Sequence, residues 1–187
     1  MATSIETLRA ALHPTRRRIV EFLLLHGPSQ VGTLARELDE QVGSISHHLR
    51  MLERVGVVAR APELAQDGRT SWWRLEERSF TWSADDFDDP AQRMEAKAAE
   101  RANVEHQLRK LSEWKRQADQ APPAWRRAAF TTDFTVLATA EELAEIDELL
   151  RRELTAWRAR ILGRIEADGP GDREPVFVFT HGFRTRP

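Results

Sequence analysis

The sequence predicts a mainly α chain, α+β overall: a small helical domain closed by a two-stranded hairpin, a long helix, and a small C-terminal α+β unit. Three observations carry that prediction. Apolar residues recur at helical spacing in four short blocks before residue 55. The period shortens to that of strands between residues 57 and 75. Beyond residue 90 a long polar helix leads into an aromatic-rich second half.

The first helix starts at Thr3 or Ser4, either of which can cap it, and runs to His13 with Ile5, Leu8 and Leu12 on one side. Pro14 suits the first turn of the second helix, where Arg16, Arg17 and Arg18 precede the apolar block from Ile19 to Leu25, and Gly27-Pro28 ends it. Ser29 is the expected N-cap of a short third helix carrying Val31, Leu34, Ala35 and Leu38, and Asp39-Glu40 reads as a tight turn. A fourth helix then runs from about Val42 to Arg54, closed by Gly56. Its Ile45, Leu49 and Leu52 face the core, while Gly43, His47, Arg50 and Arg54 lie on the opposite side with Ser44 and Ser46 flanking.

Val57 to Ala61 and Thr70 to Leu75 read as two strands joined by a polar loop with an Asp67-Gly68 turn. Three helices, a turn, an exposed polar helix and a hairpin follow the order of a winged helix-turn-helix domain over residues 1–78. A connector and long dimerisation helix occupy 79–120, with Asp88 or Asp89 before Pro90 as the start signal and a partial stripe of Met94, Ala98, Val104, Leu108, Leu111 and Trp114. The polar N-terminal half of that helix suits a bridge between domains or a surface packed on a second subunit. In the extension, 121–187, Trp125 to Leu137 reads as a strand, and Thr139 with Glu142 forms a capping box. The helix they open presents Leu143, Ile146, Leu150, Leu154, Trp157 and Ile161, and Val176 to Phe179 reads as a short buried strand.

Composition narrows the functional classes. The 187 residues suffice for one good core or two modest ones. The net charge is only −2, yet residues 1–75 carry ten Arg against eight acids while the remainder carries 18 basic against 22 acidic groups. Cysteine is absent, which excludes disulfides, thiolate metal sites and thiol switches. With no long apolar segment and no N-terminal leader pattern, the expected location is the cytoplasm.

Three stretches of the first 75 residues resemble the ArsR family of bacterial winged-helix repressors. Leu8-Arg9-Ala10-Ala11-Leu12-His13-Pro14-Thr15-Arg16-Arg17-Arg18-Ile19 resembles its opening signature. Ser46-His47-His48-Leu49-Arg50-Met51-Leu52 with Val55-Gly56-Val57-Val58 resembles its recognition helix and exit turn. Gly68-Arg69 with Trp72 and Trp73 resembles its wing. The resemblance covers about the first 40% of the chain and is closest to longer members with a C-terminal extension. It implies a sequence-specific DNA-binding regulator, expected to repress from an inverted-repeat operator as a homodimer.

The residue chemistry agrees with that implication. A helix enters the major groove when its outer face is free of bulky apolar groups and offers donors and acceptors. Gln41, Gly43, Ser44, Ser46, His47 and Arg50 meet this requirement, with Arg69 expected at the wing and Arg16, Arg17 and Arg18 near phosphates. His48, beside the core face, reads as a packed or interdomain histidine. Trp73, Trp82, Trp114, Trp125 and Phe130 are candidates to line a pocket for a small apolar effector, against the plainer reading of core and interface filling.

Family members that sense metal use a Cys pair on the third helix or Asp and His on the last, and the third helix here has neither Cys nor His. Glu105 and His106 point about 100° apart on a helix, so no metal site is expected and His106 reads as solvated. No nucleophile and base constellation, phosphate loop or cofactor motif is present in the sequence, so an enzyme is not expected. The alternative function is a winged-helix protein-interaction module that does not read DNA.

Overall fold

A computed structural model describes residues 4–65, 71–76 and 82–186. The chain divides into two units, residues 1–109 and 110–187.

In the first unit α1 (Ile5–Ala11) begins at Ser4, whose hydroxyl accepts from the Thr7 amide at 3.2 Å. α2 (Pro14–His26) follows with Pro14 in its first turn and ends at Gly27, whose φ of +73° only glycine adopts without strain. Ser29 does not cap the next helix: Ser29–Gln30 form a short strand, β1, and Gln30 is the N-cap of α3 (Val31–Glu37). Two residues are too few to show an alternating pattern, so β1 is invisible to periodicity. α4 (Val42–Arg54) closes with Gly56 at φ +73°. There the Val57 amide donates to the Leu52 carbonyl and the Gly56 amide to that of Glu53, both at 3.0 Å, the double bond of a Schellman motif.

β2 (Val58–Arg60) and β3 (Trp72–Leu75) are the expected hairpin strands. β3 is central in the antiparallel order β1-β3-β2, with Ser29 opposite Trp73 and Ala59 opposite Arg74. A single 3-10 turn, Pro62–Leu64, interrupts the expected loop, and Asp67, Gly68 and Thr70 lie outside the described residues. One core joins the helices to the sheet: Ile19 and Leu23 of α2, Leu34, Ala35 and Leu38 at α3, Ile45, Leu49 and Leu52 of α4, then Val57, Val58 and Trp73.

A second apolar cluster docks the connector. Ile5 and Leu8 of α1 pack with Ala84, Phe87 and Ala96, and Trp82 lies against them. Ser83 and Asp86 form a capping box on the 3-10 turn Ala84–Asp86. Asp89 accepts from the Gln92 amide at 2.9 Å and so opens α5 (Pro90–Gln117), as the Asp-Pro signal predicts. Arg9 and Glu95 form a two-pronged ion pair between α1 and α5. His106 is not solvated: its side chain is 12% exposed and its Nε2 lies 3.0 Å from the Glu21 carboxylate on α2. Within this unit, therefore, Glu95, Asn103 and His106 of α5 meet polar groups of α1 and α2.

The second unit is helical where it is regular. After the end of α5 come a 3-10 turn (Ala118–Gln120), α6 (Pro123–Ala128) and α7 (Ala140–Asp168), a helix of 29 residues. α7 opens on the Thr139/Glu142 capping box and closes at Gly169. The two strands expected at 125–137 and 176–179 are not formed. Pro123 at the first helical position turns Trp125 into α6, and residues 129–139 and 173–186 are neither helix nor strand. Alternating apolar residues mark a segment fit for a sheet, but a strand exists only when a neighbouring backbone pairs with it. Val176 and Phe177, expected to be buried, are 55% and 48% exposed. Among the described residues from 110 onward no side chain is fully buried.

Candidate nucleic-acid interface

α4 is held from behind. Ile45, Leu49 and Leu52 are completely buried, spaced four and three residues apart, so they lie on one line along the helix against α2 and α3. The rotation this imposes turns Gln41, Gly43, His47 and Arg50 fully outward and leaves Ser44 and Ser46 half-buried on the flanks. Every one of these α4 positions faces as the sequence pattern predicts. A Cβ added to Gly43 would meet open space, so the backbone itself is accessible there.

The turn before α4 is fixed by two devices. Asp39 adopts a left-handed φ of +52°, and the next amide, Glu40, donates to the Ala35 carbonyl at 2.9 Å. Asp is one of the few side chains that tolerate this region. Arg18 then reaches over from α2, donating to the Leu38 carbonyl at the end of α3 and lying 3.5 Å from the Glu40 carboxylate. A cation at the C-terminal end of a helix satisfies orphan carbonyls and complements the dipole.

Arg18, expected near phosphates together with Arg16 and Arg17, is thus tied to the domain itself, and its neighbours behave alike. Arg16 donates to the carbonyls of Ala10 and Arg9, at 2.5 and 2.9 Å, and so caps the end of α1. Arg17 donates to the Asn103 side chain on α5 at 3.2 Å. The three consecutive arginines thus brace three different helices. The signal that could have shown this is spacing: side chains 100° apart on one helix must face three neighbours.

Charge pairing separates the remaining arginines. Arg9, Arg36, Arg60 and Arg74 each have a carboxylate partner: Glu95, Glu37, Glu53, and Glu63 with Glu76. Arg60 also lies over the Trp73 ring at 5.3 Å. Arg50 has no such partner among the described residues, and the Gln41, Ser44 and Ser46 side chains make no hydrogen bond there. Arg69, expected at the wing, lies outside the described residues.

Behind the N-terminal half of α4 sits a histidine cluster. The His13 and His48 rings are 4.9 Å apart, and His47 meets His48 edge-on at 5.5 Å. Burial lowers the pKa of both His13 and His48, and Arg16 lowers each further; for His48 the neighbouring His13 and His47 add to this and Glu40 opposes it. His48 Nδ1 is buried without a hydrogen-bond partner, which favours the neutral ring. The packed reading of His48 agrees with this geometry.

Of the five aromatic residues considered for an effector pocket, Trp73 and Trp82 lie in the first unit and Trp114, Trp125 and Phe130 in the second. Trp73 belongs to the main core, 3% exposed, and Trp82 to the connector cluster. In the second unit Trp114 and Phe130 line one shallow hollow with Leu111, Ala118 and Ala129, and Trp125 is not part of that lining. Core packing of the first two, each placed by its own strand or connector, separates what sequence proximity had grouped. Among the described residues no group of three His, Asp or Glu is placed to hold a metal ion, and no helix is long and apolar enough to cross a membrane.

No curated protein matches the chain. Among solved structures, a possible transcriptional regulator for arsenical resistance aligns over 63% of this chain and 97% of its own, at 29% identity and a TM-score of 0.33. An apo-form mutant of ZitR from Lactococcus lactis aligns over 78% of this chain and 83% of its own, at 16% identity and a TM-score of 0.36. Residues 11–61, which run from the end of α1 through α4 and β2, match the family model for a helix-turn-helix domain, and the chain therefore carries such a domain.

Proposed function

We propose that the protein is a sequence-specific DNA-binding transcriptional regulator, a repressor that binds an inverted-repeat operator as a homodimer. The observation that carries this reading is the outer face of α4: Gln41, Ser44, Ser46 and the carboxylate-free Arg50, with accessible backbone at Gly43, on a helix whose other side is locked into the core. Arg and Gln are the side chains best shaped to take guanine and adenine edges, and the N-terminus of α4 offers amides to a phosphate. Arg16 and Arg17 support the reading indirectly, by tying α2, on which α4 packs, to α1 and α5.

Dimerisation follows from the operator geometry, in which two recognition helices about 34 Å apart enter successive major grooves. The outward apolar side chains of α5 within the first unit, Met94, Val104 and Leu108, are 70%, 37% and 52% exposed and supply a surface for a second copy. With no cysteine in the chain, regulation works without a thiolate metal site.

The test is an anisotropy titration with DNA from upstream of the protein's own gene, over a range of salt. Binding that falls steeply as salt rises is expected. Replacing His47 and Arg50 together by Ala is expected to cost about 2–4 kcal/mol of affinity with the thermal midpoint unchanged. Absence of binding at low salt would refute DNA reading, and full affinity in the double variant would refute this face.

A further inference from the structure

We infer that α7 is a self-complementary interface that pairs antiparallel with α7 of a second copy. Leu143, Ile146, Leu150, Leu154, Trp157, Ile161 and Ile165 form a stripe along nearly the whole of α7, repeating after 11 residues from Leu143 to Leu154 to Ile165. An 11-residue period stays close to the natural helical turn, so the stripe runs nearly straight along about 33 Å of helix. It is only partly covered: Leu143, with Gly182 against it, and Ile146, Ile161 and Ile165 are half-buried, while the central Leu150, Leu154 and Trp157 are 36%, 36% and 43% exposed.

The charges say what covers it. Residues 141–148 carry Glu141, Glu142, Glu145, Asp147 and Glu148 with no basic residue. Residues 151–164 carry Arg151, Arg152, Arg158, Arg160 and Arg164 against the single Glu153, and Glu166 and Asp168 follow in the last turn. Two such helices side by side and parallel set acid against acid and base against base. Antiparallel, the acidic half of each meets the basic half of the other, and Asp147 and Glu142 come level with the second copy's Arg158 and Arg164 when the crossing lies near residue 153. A helix whose charge reverses about its own midpoint, around an apolar stripe, fits a two-fold copy of itself. The pairing needs no DNA and is separate from the α5 surface.

The natural absence of cysteine makes the test direct. In the full-length protein, Leu150→Cys, Leu154→Cys and Trp157→Cys are introduced singly, as are Ile146→Cys and Ile161→Cys, and each is oxidised mildly. Antiparallel pairing predicts a disulfide-linked species of twice the chain mass from Leu154→Cys alone, beside the crossing, and from Leu150→Cys only when it is mixed with Trp157→Cys. It predicts none from Ile146→Cys or Ile161→Cys alone, but a linked species when those two are mixed. Circular dichroism of each variant verifies the fold. Linking at every position alone means parallel pairing and overturns the inference. So does the absence of links in protein that sizes as a dimer, which leaves the α5 surface and DNA reading intact. A protein that sizes as a monomer with the cysteines shielded from a thiol reagent overturns it in favour of the chain's own 129–139 or 173–186 segment as the cover.

Discussion

At the scale of single residues, polar groups near α4 divide into those that hold the domain and those left outward. Arg16, Arg17 and Arg18 are anchored to α1, α5 and the end of α3, whereas Arg50 stands without a carboxylate among the described residues. The histidine cluster gives the domain a pH dependence whose sign can be worked out. His13 and His48 have folded pKa values below the ordinary value of about 6.5, so the unfolded chain takes up their protons first on acidification. Their contribution is fully present above that value and is lost as the pH falls from about 6.5 toward the lowered folded values. Thermal melts at descending pH are expected to show a falling midpoint, with a shallower fall in His48→Phe. An unchanged slope in that variant would locate the dependence elsewhere. Gln41 gives a second test, because it is the N-cap of α4 but makes no side-chain cap bond. Gln41→Asp supplies one, for about 1 kcal/mol and a rise of roughly 4 °C in the midpoint. The same carboxylate faces DNA phosphates in the proposed complex, so affinity is expected to drop about tenfold while stability rises. Stability and affinity moving together would argue against α4 lying in the groove.

Elements were legible where a face is buried against the same chain. Ile45, Leu49 and Leu52 state the orientation of α4 because all three are wholly buried, and Asp89-Pro90 states where α5 starts because its cap is local. β1 was not legible, since two residues carry no period, and its place is set by pairing Ser29 with Trp73 far along the chain. Phe130, Phe134 and Val136, and Val176 to Phe179, show the converse. Their pattern reports a propensity, while strand formation depends on a partner the pattern does not name. Trp73 and Trp82 looked like neighbours in one pocket, yet the sheet and the connector carry them into separate clusters. The exit from α4 is read from sequence and structure alike: Gly56 lies at φ +73° with open space at its missing Cβ. Gly56→Ala therefore meets no clash, and its cost is the left-handed backbone alone, about 1–2 kcal/mol. Calorimetry should show a lower midpoint of that size. A neutral result would mean that the Schellman turn has shifted and that β2 has moved with it.

At the scale of the molecule, α5 and α7 both leave apolar side chains outward, and in the proposed dimer both find them covered by a second copy. A two-fold assembly has a consequence that a single chain cannot imitate. Each copy places one α4 in one half-site, so the rotational phase between the half-sites matters as much as their sequence. Inserting about five base pairs at the centre of the operator turns one half-site by roughly half a helical turn, to the opposite face of the duplex. Affinity should fall to that of an isolated half-site. The slope of log affinity against log salt should fall toward half as well, because it counts the phosphates contacted. Base substitutions that merely weaken recognition in one half-site leave most backbone contacts in place and change the slope little. Measuring both quantities on the same DNA therefore separates loss of phase from loss of sequence. An operator whose affinity and slope survive the insertion would show that one copy reads it alone, and the apolar faces of α5 and α7 would then need another purpose.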